Sequence, residues 1–559
     1  FWLKCPGEPL PEDTGTLSSS LCWSPETGVS RCSHCKMGHL SRQLRTGVAE
    51  FLGTFTFMIA IGCNVAGREL LFDPLIIVPT SVGCTFMALL YALGEAHLNP
   101  AVTLSMALGG HMKWWDAPIY ILSQVCGGLV GCCAYRVIYP DAGLSARLRH
   151  HEYEDYRDVV VAELIYTSML CLVFLATSPA ANKKHNQCYG LACGFSIIAG
   201  RHAIRRVAQG SWFNPAISMG IYWASPSSTA TLGCMLLGEG LGAIVGLLIH
   251  YVCCPEAYDR QPWLMSKIAS EFFGTLFVVA TFAFHIIWNT DMGAWSIAAA
   301  LMCMIFTFNN TSGAHFNPAA TVALRITGRT MDDGSPLTVL AGIYVVVQLL
   351  GGLAGGLLVR SFSNLPDVTP PPSIATFGFM QVGVAEVFFT GFLCFVIVST
   401  SALHDRDLGE VSGLAVGSCI TAGGFAAGAA SGAMLNPAIT LSLFVLMGSW
   451  NKRPLFAYLA FQVLGTAIAS LCFFLTRGRL SANLPGTGRA GRLAEKLGGF
   501  VGDAAAAIGH AASDAVDAAG AGAEAMYDGA RRLSGQLFSP RGAMFSAKAP
   551  DEKEAPVTA

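Results

Sequence analysis

Charge is what the 559-residue sequence lacks: only 13% of its residues are Asp, Glu, Lys or Arg, against about 25% in a soluble globular chain. A deficit of that size over this length means that most of the surface faces lipid rather than water. The balance is also near neutral, 34 basic against 36 acidic residues, and no basic runs alternate with aromatics. That leaves no electrostatic footprint for nucleic acid. Nothing resembles a catalytic triad, a phosphate loop or a nucleotide fingerprint, so neither an enzyme nor a cofactor is expected. The first 44 residues hold no apolar run long enough for a signal peptide, so insertion is expected to rely on the first span itself.

Apolar sequence is abundant, at 53% of the chain, with 61 glycines and 19 cysteines. Most of the cysteines, such as Cys63, Cys126, Cys171, Cys303, Cys394 and Cys472, lie inside apolar runs and act there as small hydrophobes. The N-terminal tail differs: Cys5, Cys22, Cys32, Cys35 and His39 lie close together. The Cys32-x-x-Cys35 spacing is compatible with a metal, but one such pair suits a disordered or lipid-modified tail better, and no metal site is expected.

A bilayer is crossed by about 20 apolar residues. Twelve spans are expected, near 47–66, 75–94, 117–138, 159–178, 188–200, 230–252, 268–288, 294–311, 337–359, 380–400, 411–429 and 455–476. Within them a pattern recurs: Glu50-x-x-x-Thr54, Glu163-x-x-x-Thr167, Glu271-x-x-x-Thr275 and Glu386-x-x-x-Thr390, each in the first turns of a span. After each comes an Asn-Pro-Ala: Asn99-Pro100-Ala101, Asn214-Pro215-Ala216, Asn317-Pro318-Ala319 and Asn436-Pro437-Ala438. The Glu-to-Asn separations are 49, 51, 46 and 50 residues. A given tripeptide of this kind turns up roughly once in several thousand positions, so four at a near-constant offset make the chain a fourfold repeat.

Three spans per repeat is an odd number, so successive repeats enter the membrane from opposite sides. Paired inverted repeats meet at the midplane and place a transport site there. The chain therefore divides into a tail over 1–44, unit one over 45–252, a link over 253–263, unit two over 264–476 and an Ala/Gly-rich tail over 477–559 that is either disordered or an amphipathic surface helix. Loop lysines and arginines such as Arg42, Arg45, Lys113, Arg325 and Arg477 fall mostly on the side carrying both termini, which makes that side cytoplasmic.

Asn is a favoured N-cap and Pro is pre-shaped for the first helical position, so Asn-Pro-Ala reads as a helix start. Each start follows a span after a short link, and the helix it opens is too short to cross. It is expected to be a re-entrant half-helix lining an enclosed cavity. Two such helices meeting end to end turn two positive dipole ends to one point and repel cations and protons. Their Asn amides could then donate to the oxygen of a passing neutral molecule. The blander alternative is that they only cap and pack a closed bundle. Glu50, Glu163, Glu271 and Glu386 would be costly in the membrane unless partnered. They are expected to accept hydrogen bonds from the re-entrant loops, with proton carriage the lesser alternative.

Ala49-Glu-Phe-Leu-Gly-Thr54, His97-Leu-Asn-Pro-Ala-Val-Thr103 and Ser312-Gly-Ala-His-Phe-Asn-Pro-Ala319 resemble the signatures of the aquaporin, or major intrinsic protein, family, over 45–252 and again over 264–476. The resemblance implies an all-α membrane protein of two tandem six-span bundles, with two half-helices and an hourglass pore in each. It also implies assembly of four units, which two tandem chains could supply. The expected partners are membrane lipid, water and small neutral solutes.

The departures bear on substrate. Where the family's second Asn-Pro-Ala is normally followed by an Arg that lines the narrow filter, this sequence has Ile217 and Ile439. In unit two the resemblance puts Gly424, Ala433 and about Ile297 at the other filter positions, small residues resembling the glycerol-type members. In unit one Ser211 takes the loop position. Counting back from Asn214 puts His202 at the fifth-span position, whereas counting forward from Gly194-Phe195 puts Arg201 there. Arg201, or nearby Arg205 and Arg206, could replace the missing cation or plug the mouth; alternatively the three sit in the external loop, solvated or paired with Glu152, Glu154 or Asp155. Glu95 and Glu239 have no counterpart in unit two. The expected function is a passive channel for water or small neutral solutes, with unit two the favoured pore. A structural protein with one or both pores closed is the alternative, and a twelve-span coupled transporter ranks a distant last.

Overall fold

The computed structural model describes residues 33–66, 74–94, 96–139, 155–181, 186–208, 211–224, 228–288, 290–328, 337–363, 378–402, 411–446 and 452–477. The side chains of the cysteine-bearing tail, Glu95, Glu152, Glu154 and the tail from 478 onward lie outside the described residues. The remainder forms one compact body of sixteen α-helices. Unit one holds α1 (Ser33–Ala66), α2 (Pro74–Leu93), α3 (Pro100–Leu108), α4 (Ala117–Ile138), α5 (Tyr156–Thr177), α6 (Tyr189–Ala203), α7 (Pro215–Ala224) and α8 (Thr229–Cys253). Unit two repeats the order with α9 (Leu264–Trp288), α10 (Gly293–Ser312), α11 (Pro318–Thr327), α12 (Leu337–Arg360), α13 (Phe379–Ala402), α14 (Ser412–Ser431), α15 (Pro437–Leu446) and α16 (Lys452–Arg477).

Ten of these helices are long and apolar enough to cross a membrane. By their place in the repeat, α2 and α6 complete the twelve spans, and α3, α7, α11 and α15 are the short helices that open at Asn-Pro-Ala. The first helix starts at Ser33, ahead of the expected span, because the segment holding Arg42 and Arg45 continues the helix beyond its apolar part.

Within each repeat the first and third spans run against each other, and in three of the four repeats paired glycines set the distance. A Cβ on Gly127 or Gly131 of α4 would lie 2.5 or 2.6 Å from the carbonyl oxygens of Phe51 and Phe55. Gly238, Gly242 and Gly246 of α8 stand likewise against Val160, Leu164 and Ser168, and Gly351 and Gly355 of α12 against Phe272 and Leu276. Small residues four apart let two backbones touch, which is how helices gain packing energy where lipid offers no hydrophobic drive. The fourth repeat keeps Gly465 against Val387, and puts Phe461 one turn earlier, where Gly383 makes room for it.

The two units are joined through α5 and α6 of unit one and α9 and α10 of unit two. Across this seam the Tyr166 and Thr281 hydroxyls lie 3.1 Å apart, and the Ser296 hydroxyl donates to the Ala199 carbonyl at 2.8 Å. At the first turn of α5 Arg157 donates to the Ser363 hydroxyl at 2.8 Å, and the Ser363 amide donates to Asp158 at 2.9 Å. The Ser363 hydroxyl and the Arg157 amide hold the exposed Asp155 carboxyl below the usual carboxylate range. A lowered value means that its contribution is complete at neutral pH and is lost as pH falls through that value.

Two outcomes are expected. Gly131→Val should drive α1 and α4 apart and abolish folded protein, read as loss of the monodisperse peak in detergent chromatography. Asp158→Ala, which strips the Ser363 amide of its acceptor, should cost about 1–3 kcal/mol and lower the thermal midpoint of the purified chain.

Candidate functional site

Each half-helix begins the same way. The Asn side-chain oxygen caps its helix by accepting the Ala amide two residues on, at 2.9 Å for Asn99, 3.1 Å for Asn214, 2.9 Å for Asn317 and 2.9 Å for Asn436. The residue just before it is left-handed in all four loops: Leu98 at φ 56°, Phe213 at 58°, Phe316 at 47° and Leu435 at 50°. Such a conformation costs a non-glycine residue about 1–3 kcal/mol and persists only where the surroundings over-determine it.

The buried glutamates supply that constraint. Glu50 accepts the His97 and Leu98 amides at 2.7 and 2.8 Å, and Glu163 those of Trp212 and Phe213 at 3.0 and 3.1 Å. Glu271 takes His315 and Phe316 at 3.0 and 2.8 Å, and Glu386 takes Met434 and Leu435 at 3.0 and 3.1 Å. Each carboxylate thus grips two consecutive backbone donors, one of them belonging to the left-handed residue. In three repeats a glutamine from the third span completes the clamp. Gln124, Gln348 and Gln462 donate to Glu50, Glu271 and Glu386 at 2.7, 2.8 and 3.2 Å.

Paired loops are then stitched to each other. Asn99 Nδ2 donates to the Phe213 carbonyl at 2.7 Å and Asn214 Nδ2 to the Leu98 carbonyl at 2.8 Å. Asn317 and Asn436 make the reciprocal pair with the Leu435 and Phe316 carbonyls, both at 3.0 Å. One amide hydrogen of each Asn is therefore spent on the opposite loop.

The two units differ in what this stitched centre faces. In unit two a cavity of about 40 Å³ touches both asparagines, and it is roomy enough to hold water. Its lining runs from Thr400, Ser401 and Ser412 past Asn317 and Asn436 to Ile297 and Ile439. Gly424 lets α14 approach α10, since a Cβ there would lie 2.4 Å from that of Ala294. Ala433 is partly buried in the loop at φ 45°.

In unit one Asn99 and Asn214 are 0% and 1% exposed, and Ser211 and Ile217 are also at 0%. Arg201, 7% exposed, donates to the Ser211 carbonyl and lies 4.1 Å over the Trp212 ring. A Cβ on Gly200 would press on Tyr166 and Phe213, as one on Gly423 would press on Phe389 and Leu435. Arg201 is thereby the structural counterpart of Gly424, and unit one carries one more residue between this helix and its Asn. His202 falls one place further and stands 3.3 Å from the Thr80 hydroxyl. Arg205 is buried and lies 3.8 Å from Asp291 of unit two, while Arg206 is exposed. Asp155 pairs with Ser363 instead of any of these arginines.

The sequence profile of the family described as Major intrinsic protein matches residues 38–255, 259–473 and 373–500. The chain belongs to the major intrinsic protein family. A probable aquaporin NIP-type of Nicotiana alata is 32% identical over 229 residues, 38% of this chain and 78% of the relative. Aquaporin NIP1-1 of Zea mays is 32% identical over 235 residues, 40% of this chain and 79% of the relative. Family membership makes this an integral membrane channel protein for water or small solutes, not an enzyme.

The glutamine clamps were not anticipated. Their only trace in sequence is a polar residue inside an otherwise apolar third span, at an offset from Asn that varies with loop length. Glu271→Ala should strip the acceptor from the His315 and Phe316 amides and the Ser312 hydroxyl, at about 1–3 kcal/mol per orphaned buried donor. Glu271→Gln keeps one acceptor oxygen, and its thermal midpoint should fall between those of Glu271→Ala and the native chain.

Proposed function

We propose that the chain is a passive channel in which unit two conducts water and small neutral solutes of the glycerol class, while unit one is sealed. The observation that carries this reading is the contrast at the two centres: a cavity borders Asn317 and Asn436, which are 5% and 6% exposed, whereas Asn99 and Asn214 are 0% and 1% exposed. In unit two the second half-helix continues with Ile439 instead of an arginine, so the constriction offers no fixed cation and favours solutes with apolar carbon faces. The facing half-helix ends and the Asn amides orient the solute oxygen and keep a proton wire from forming. In unit one Arg201, at the helix position that Gly424 has in unit two, holds the Ser211 carbonyl and the Trp212 ring and acts as a plug. Glu50, Glu163, Glu271 and Glu386 are structural anchors of the loops, not proton carriers.

Both termini lie on the cytoplasmic side in this reading, supported by the lysine and arginine bias of the short loops. Two chains assemble so that four units surround one axis. Support comes from the seam inside the chain: α5, α9 and α10 are each 78% buried over their apolar stretch, while α14 and α1 are 33% and 44% buried. By the correspondence of the two units, α13 and α14 of one chain meet α1 and α2 of another, as α5 and α6 meet α9 and α10 within the chain.

Stopped-flow light scattering on proteoliposomes tests the conduction reading. Replacing Asn317 and Asn436 by Trp is expected to reduce glycerol and water flux to that of empty liposomes, and Asn99→Trp with Asn214→Trp to leave flux unchanged. Flux that survives the unit-two block, or no flux from folded native protein, would contradict it.

A further inference from the structure

The clamp that holds the re-entrant loops is built four times, and its fourth copy is chemically different. Gln124, Gln348 and Gln462 each also donate to the threonine four residues after the Asn, at 2.9, 2.8 and 2.8 Å from Thr103, Thr321 and Thr440. In the second repeat the corresponding positions are Glu239 on α8 and Ser218 on α7. There the Ser218 hydroxyl donates to Glu239 Oε1 at 2.7 Å, and the Asn214 amide donates to the same oxygen at 2.9 Å. Glu163 holds the two amides immediately before it, Trp212 and Phe213. Three consecutive backbone donors are therefore shared by two carboxyl groups, and consecutive residues lie only about 3.8 Å apart at their Cα atoms.

Both carboxyls are wholly buried, and Glu239 Oε2 has no hydrogen-bond partner. An ionised carboxylate only accepts, whereas a protonated one has an O–H to donate. Where the other three clamps bring an amide N–H to the anchoring glutamate, this one brings a second acid. Two carboxylates sharing a buried site cannot both ionise without strong mutual repulsion. The charge count around the pair is short. On α5 the titratable neighbours are Glu163 itself and Cys171, and from α6 Arg201 is in electrostatic contact with Glu163. The short helices α3 and α7 contribute the neutral Ser105 and Ser218. Helix α9 meets α8 at its far end, where the Ser270 hydroxyl donates to the Cys253 carbonyl and the nearby charged groups are Lys267 and Glu271. One cation, Arg201, matches one carboxylate and leaves the second to be neutral.

We infer that Glu163 and Glu239 form a one-proton acid pair in unit one, in which Glu239 stands at the position of the glutamine of the other three repeats and holds the proton at neutral pH. The ligand of this site is a proton, and what it secures is the loop from Ser211 to Asn214. Loss of that proton at alkaline pH sets two like charges on adjacent backbone donors and loosens the seal of unit one. The inference stands apart from the conduction reading, because it holds whether or not unit one carries solute.

Infrared spectroscopy of the intact chain in lipid, titrated in pH and compared in H2O and D2O, tests it. The native chain is expected to show a deuterium-sensitive carboxylic-acid carbonyl band at neutral pH that disappears on alkalinisation. Glu239→Gln should lack that band and restore the amide clamp, and its thermal midpoint should not fall at high pH as the native one does. The reciprocal variant Gln462→Glu, which builds the same pair opposite Glu386, should gain one such band and serves if Glu239→Gln does not fold. Identical acid bands in the native chain and Glu239→Gln, or a folded Gln462→Glu chain with no added band, would overturn the inference.

Discussion

Everything at the centre of this molecule hangs on one arrangement: a buried glutamate on a first span accepting two consecutive amide hydrogens from a loop that dives into the membrane. A loop at that depth has no water to satisfy its backbone. The carboxylate supplies two acceptors at once and locks the left-handed residue that turns the chain into the half-helix. The Asn then caps that helix with its oxygen and crosses to the opposite loop with its nitrogen. Strain, burial and polarity are thus balanced within a few residues, which lets the same device be used four times.

On that frame the chain is free to vary what it does with the space between loops. Unit two leaves room beside Asn317 and Asn436, lined by aliphatic side chains and a few hydroxyls. Unit one buries Asn99 and Asn214, holds Arg201 against the Ser211 carbonyl and the Trp212 ring, and replaces one clamp glutamine by Glu239. Unit one also supplies α5 and α6 as the seat for unit two, so it is indispensable to the assembly whatever passes through it.

Much of this was legible from residues alone. Four Asn-Pro-Ala starts at near-constant distance from four intramembrane glutamates fixed the repeat, the inversion and the half-helices, because each is a local sequence signal tied to backbone geometry. The register around Arg201 and His202 was open, since a one-residue insertion leaves no mark in composition; the frame of Gly190, Gly194 and Gly200 against Gly413, Gly417 and Gly423 carries it. The seam between units and the meeting of Glu239 with Glu163 were not legible. Both are contacts between helices remote in sequence, and an apolar helix face carries the same residues whether it meets lipid or another helix. Glu239 stood out as an acid without a counterpart, but which group it faces is decided by the packing of α8 on α5.

The most direct test of one frame with two different centres is an electron cryo-microscopy map of the native chain in lipid, at a resolution that shows ordered water. The account predicts a file of water density passing between Asn317 and Asn436, and protein density alone between Asn99 and Asn214, with the Arg201 guanidinium against Trp212. Continuous water through unit one, or a dry centre in unit two, would contradict it.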